Sequence, residues 1–130
     1  MSAAPAPRCL IVEDQTLISM SLEAYLEEMG WSIAGQFGNS AGALKWLETN
    51  TPDAAIIDFM LQDGPCIELA RALRRRGVPF LVYSGRRREP DTPPEFRDVP
   101  WLEKPLARTE LVRALSELRS NGQRAQQGTR

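Results

Sequence analysis

Three carboxylates, a hydroxyl and an ammonium group carry the chemistry available to this chain: Glu13 and Asp14, Asp58, Ser84, and Lys104. Each stands at the downstream end of a short apolar run, or just past it. The runs are Cys9-Leu10-Ile11-Val12, Ala54-Ala55-Ile56-Ile57, Phe80-Leu81-Val82-Tyr83 and the weaker Val99-Pro100-Trp101-Leu102. In an open parallel sheet the carboxyl ends of the strands share one edge, which is where such sheets bind ligands. Five scattered residues thereby converge on one site. Three carboxylates within ~5 Å would repel by about 3 kcal/mol per pair at an effective dielectric of ~20, against the ~5–15 kcal/mol that holds a domain together. Lys104 supplies one compensating charge, and a divalent ion bound through oxygen supplies more. Mg²⁺ suits such a place, since it is typically held by one or two carboxylates, waters and a phosphate. A carboxylate beside Mg²⁺, a hydroxyl and a lysine is the equipment of a phosphoryl acceptor.

Composition removes several rivals. The 130 residues include no histidine, which excludes Ser-His-Asp and Cys-His catalysis, His-ligated zinc and a phosphohistidine within this chain. Any phosphoryl group must come from another molecule. Cys9 and Cys66 lack metal-ligand spacing and have no reason to pair, so both are expected as reduced thiols in or near the core of a cytoplasmic protein. A net charge of -1 provides no general attraction to nucleic acid or membrane. The Arg74-Arg75-Arg76 triplet is expected as a solvated helix end, where cations are favourable; Arg86-Arg87-Arg88 is the second local exception. No apolar stretch approaches the ~20 residues of a membrane span, and Met1 to Pro7 has no signal-peptide core.

The elements that must position these groups alternate between strand and helix, the pattern of an α/β fold with a doubly wound parallel sheet of five strands. Ile18, Leu22, Tyr25, Leu26 and Met29 recur at helical spacing until Gly30 stops them. Trp31 to Phe37 reads as a strand, and Asn39 or Ser40 as the cap of a helix that turns Ala43, Leu44 and Leu47 inward. Asp63-Gly64-Pro65 predicts a tight turn with proline at or near the first position of a helix that ends at Gly77. A last helix is expected over about Arg108 to Ser120, followed by a frayed polar tail over 121–130 and preceded, at the other end of the chain, by a disordered segment over 1–7. Between Arg86 and Asp98 the alternation calls for a helix, yet Pro90, Pro93 and Pro94 oppose it at ~3 kcal/mol per interior proline. The fourth helix is therefore expected to be short or absent, leaving a mobile loop with at most one turn around Glu95 to Arg97.

Taken in order, Glu13-Asp14, Asp58, Ser84 and Lys104-Pro105 resemble the receiver domain of bacterial two-component response regulators, over about Arg8 to Ser120. The stretch from Gly77-Val78-Pro79-Phe80 to Ser84-Gly85, with Lys104-Pro105-Leu106, further resembles single-domain receivers of the alphaproteobacterial stress and cell-cycle type. The resemblance implies a flavodoxin-like fold and a role for each residue. Asp58 is then the phosphoacceptor, served by a phosphohistidine on a sensor histidine kinase or phosphotransfer protein. Asp14, Asp58 and the backbone carbonyl of Met60 hold Mg²⁺, with Glu13 acting through water. Lys104 pairs with one phosphoryl oxygen, the Ser84 hydroxyl bonds another, and the Lys104-Pro105 bond is cis. Met60 and Arg86 flank the path of the attacking water. Trp101 departs from the family's switching tyrosine or phenylalanine and is expected as a packed aromatic, and Asp63 as a turn residue. The implied protein is a monomer or weak homodimer that docks to kinases or drains phosphoryl groups from them, rather than an enzyme acting on small substrates. The alternative is a binding module whose acidic pocket is vestigial and whose partner ignores phosphorylation.

Overall fold

Two of the apolar runs are buried along nearly their whole length in the computed structural model, which describes residues 5–105 and 108–128. They form β1 (Arg8–Val12) and β3 (Ala54–Ile57), and burial on both sides is what a strand covered by helices on each face requires. In chain order the elements are β1, α1 (Thr16–Glu28), β2 (Ser32–Phe37), α2 (Ser40–Leu47), β3, β4 (Met60–Leu61), β5 (Gly64–Pro65), α3 (Ile67–Arg75), β6 (Phe80–Ser84), a single 3₁₀ turn (Pro94–Phe96), β7 (Trp101–Glu103) and α4 (Arg108–Gly128). Five strands make one parallel sheet in the order β2-β1-β3-β6-β7. This is the doubly wound, flavodoxin-like arrangement expected from the alternation. Successive residues of a strand face opposite ways. Leu10, Val12, Ala55 and Ile57 accordingly meet α2 and α3, while Cys9, Ile11, Ile56 and Leu81 meet α1 and α4.

Local chemistry explains most boundaries. The Asn39 side chain accepts from the Gly42 amide at 2.7 Å, the predicted cap of α2. The turn before α3 differs from expectation. Gly64–Pro65 pairs antiparallel with Met60–Leu61, and the helix starts only at Ile67, so Pro65 is not its first residue. Gly64 makes this possible with a φ of +109°, which residues bearing a Cβ rarely adopt. Of the N-terminal segment expected to be disordered, residues 1–4 lie outside the described residues. Residues 5–7 have no regular structure, although the Pro7 carbonyl accepts from the Ser32 amide. The last helix runs further than the expected end at Ser120: α4 continues to Gly128, and residues 129–130 lie outside the described residues. Gln, Arg and Ala between 123 and 127 are good helix formers, and a polar stretch without apolar periodicity can still be helical when no proline interrupts it.

The segment before β7 contains only the 3₁₀ turn, as the prolines demand. It is nevertheless firmly attached, which the expected mobile loop did not foresee. Phe96 is 1 % exposed and its ring meets those of Phe59, Phe80 and Trp101 at centroid distances of 5.4, 6.4 and 6.1 Å. Arg71 pairs with Glu95, and Arg74 donates to the carbonyls of Glu95 and Arg97. Arg74 is thus a tether rather than only the solvated helix end predicted. Phe96→Ala is expected to cost about 3–5 kcal/mol, as for other buried phenylalanines, and to lower Tm by roughly 10 °C or more. Thermal unfolding followed by circular dichroism measures it; a loss below ~1 kcal/mol would mean that Phe96 is not the anchor.

Candidate functional site

Backbone pairing carries the site residues to one edge, because it continues one residue beyond three of the strands. The amide of Glu13 donates to Phe37 at 2.9 Å, that of Asp58 to Val12 at 2.9 Å, and that of Lys104 to Ser84 at 2.8 Å. One carboxylate oxygen each of Glu13, Asp14 and Asp58 consequently lies within 4.8 Å of the others. The edge also falls where strand order reverses between β1 and β3, the crevice in which doubly wound sheets take ligands.

Lys104 answers the like-charge repulsion predicted for three clustered acids. Its Nζ lies 2.7 Å from Glu13 Oε1 and 3.0 Å from Asp58 Oδ2, and Glu13 and Asp58 are both buried. Burial alone pulls the Lys104 ammonium down, but its hydrogen bonds to Glu13 and Asp58 and their charges outweigh that and hold it above its ordinary value. Burial pushes the Glu13 carboxyl up, with the nearby Asp58 charge adding to it, against the Lys104 and Gln15 hydrogen bonds that favour the anion. Asp14 is half-buried, and Lys104 reaches the other two acids instead. Three hard oxygen donors at this spacing fit a divalent cation such as Mg²⁺.

A cleft of about 450 Å³ opens beside Asp58, with Met60, Ser84, Arg86, Lys104 and Gln15 in its walls. Ser84 is 1 % exposed, and its Oγ accepts from the Arg86 amide at 3.2 Å. Pro105 closes one side of the cleft, and the Lys104-Pro105 bond is cis. Trp101 is held rather than free. Its indole Nε1 donates to the Arg86 carbonyl at 2.8 Å, its ring lies 5.3 Å from that of Phe59, and the Arg88 guanidinium sits 5.5 Å from the ring centre. The packed aromatic expected at this position is present, in direct contact with the loop that follows Ser84. Cys9 and Cys66 are free and buried, and burial pushes both thiols up, Cys66 to about 12. Neither is poised as a nucleophile.

Asp63 and Gln15 make contacts that have no clear signal in the sequence. Asp63, expected only as a turn former, accepts from the amides of Ser40 and Ala41 at 2.9 and 3.0 Å, and so caps α2 from another loop. The Ser40 amide is the main reason its carboxyl is held below the usual range. Gln15 follows the acid pair; its amide donates to Glu13 Oε2 at 3.0 Å and its Oε1 lies 3.4 Å from Lys104 Nζ. The D-G pair hints at a turn, but nothing local announces a cap for a helix 22 residues away. Among the described residues no helix is long and apolar enough to cross a membrane.

Comparison with known proteins places this geometry in context. The family model for the response regulator receiver domain matches residues 9–116. Transcriptional regulatory protein PrrA of Mycobacterium tuberculosis is 32% identical over 125 residues, covering 92% of this chain and 53% of the relative. The corresponding figures for PdtaR of the same species are 29% over 116 residues, 87% and 57%. The chain thus spans about half the length of these curated relatives. Among solved structures, SdrG from Sphingomonas melonis Fr1 superposes with a TM-score of 0.75 at 36% identity, over 89% of this chain and 98% of that one. A CheY-like receiver from Methanospirillum hungatei JF-1 reaches a TM-score of 0.81 over 92% and 98%, and at 22% identity shows the fold alone.

Proposed function

The chain belongs to the response regulator receiver family, and from that premise we propose that it accepts a phosphoryl group on Asp58 from a histidine kinase or phosphotransfer protein. The observation that carries the reading is the convergence of Glu13, Asp14 and Asp58 with the Lys104 ammonium on one sheet edge. An Asp58 oxygen attacks phosphorus in line, the bond to the donor nitrogen breaks, and the acyl phosphate forms. Such a transfer needs positioned charge more than covalent help from the protein. Lys104 follows the phosphoryl oxygens, and the Ser84 hydroxyl turns from the Arg86 amide to bond another. Held by Asp14, Asp58 and the Met60 carbonyl, with Glu13 through water, Mg²⁺ would supply the positive charge that offsets the phosphoryl group.

The domain acts in the cytoplasm by docking to kinases or by draining phosphoryl groups from them. Incubation with acetyl phosphate and Mg²⁺, followed by intact-mass spectrometry, tests it: a gain of one phosphoryl group is expected. A chain that stays unmodified would instead be a binding module with a vestigial pocket.

The lifetime of the acyl phosphate follows from the cleft walls. A methionine thioether at position 60 orients water poorly, whereas Arg86 can pair with phosphoryl oxygens and cover them. Slow spontaneous loss is expected. Met60→Asn should speed it about fivefold, the worth of one orienting hydrogen bond of ~1 kcal/mol. The decay of labelled protein under saturating Mg²⁺ measures this, and an unchanged rate would remove Met60 from the water's path.

A further inference from the structure

Lys104 occupies the carboxylates that a metal ion and a phosphoryl group would each require. Its ammonium has three donors, and the structure offers them three acceptors: Glu13 Oε1 at 2.7 Å, Asp58 Oδ2 at 3.0 Å and Gln15 Oε1 at 3.4 Å. Two are charged and short. The third is neutral and long, because the ammonium is drawn toward the anions. On the reading above, Asp58 passes to Mg²⁺ and the phosphoryl group, and Glu13 to a metal-bound water, so both charged acceptors are withdrawn together. Gln15 is then the only one of the three whose oxygen remains for the lysine.

We propose that Gln15 is a positioning residue that receives the Lys104 ammonium when Glu13 and Asp58 are taken up, and so holds it in the cleft at the height of the phosphoryl oxygens. Three features fit this role. Gln15 lines the same cleft as Asp58 and Lys104. Its backbone is fixed to the site by its amide's bond to Glu13 Oε2 at 3.0 Å. Its side chain serves no local purpose, for although Gln15 is the N-cap of α1 it makes no capping bond. A neutral amide also suits the task chemically. It accepts from an ammonium without adding a fourth negative charge to Glu13, Asp14 and Asp58.

The inference rests on the metal-binding, phosphoryl-accepting reading, and the test separates the two. Gln15→Met keeps length and flexibility but removes the acceptor, and Gln15→Glu keeps the acceptor. Calorimetric titration of the unphosphorylated full chain with MgCl₂ is the first readout, and the rate of modification by acetyl phosphate the second. Gln15→Met is expected to raise the Kd for Mg²⁺ about fivefold, as for loss of one long, solvent-exposed hydrogen bond of ordinary strength, and to slow modification similarly. Gln15→Glu should match or exceed wild type in Mg²⁺ affinity. If wild type binds Mg²⁺ and is modified while Gln15→Met behaves identically in both assays, Gln15 does not position the lysine. Equal weakening by both variants would also overturn the proposal. A wild-type chain that neither binds Mg²⁺ nor takes a phosphoryl group would end the functional reading itself, and the Gln15 role with it.

Discussion

Asp58→Asn is expected to abolish modification by acetyl phosphate while leaving the fold intact. The carboxamide is nearly isosteric with the carboxylate and still offers Lys104 an oxygen, so the contact now 3.0 Å long can persist. What disappears is the anionic nucleophile. The substitution also removes one of three like charges from the cluster around Lys104, so thermal stability should stay at or above the wild-type value. Intact-mass spectrometry and a thermal melt together measure both halves. Because Asp58 alone among the described residues has acids, a hydroxyl and a lysine converging on it, modification of wild type should map to that residue alone. A phosphoryl group found on Ser84, or retained in full by Asp58→Asn, would sink the assignment.

Asp14→Ala is expected to eliminate both Mg²⁺ binding and modification, and yet to raise Tm. Lys104 neutralises Glu13 and Asp58 by direct contact, which leaves Asp14 as the carboxylate whose charge is least compensated. Within 4.8 Å each like-charge pair is worth about 3 kcal/mol or more at an effective dielectric of ~20. Asp14 is half-exposed, so solvent screening leaves roughly 1 kcal/mol of relief, or about 4 °C in Tm. The opposite signs are the diagnostic: a structural acid would lose stability on removal, whereas a ligand kept for its chemistry gains it. Calorimetric titration with MgCl₂ and metal-free melts provide the two readings. Undiminished phosphorylation of Asp14→Ala would refute the ligand assignment.

Much of the site was legible before any coordinates, because its residues sit at positions that local patterns mark. An apolar run followed by a polar residue locates a strand end, and in a parallel sheet all such ends share an edge. That reasoning places Glu13, Asp14, Asp58, Ser84 and Lys104 together, and the structure brings them together. The absence of a helix between β6 and β7 was legible for an equally local reason: prolines forbid it wherever the chain goes. The length of α4 is not legible, since a polar stretch without apolar periodicity carries no mark of where a helix stops, here at Gly128.

What the chain's neighbours in sequence determine is secondary structure, capping by nearby residues and the edge at which the acids must gather. Only the tertiary structure decides which distant loops touch. Asp63 became a second cap of α2, Phe96 the anchor of an irregular loop, Trp101 a donor to the Arg86 carbonyl and Gln15 a third acceptor for Lys104. Each of these joins distant parts of the chain through one or two bonds or one buried ring. Periodicity and turn chemistry act over a few residues and so record themselves in the sequence. A long-range contact instead exists only after packing has set the distance between elements, and leaves no local pattern by which to find it.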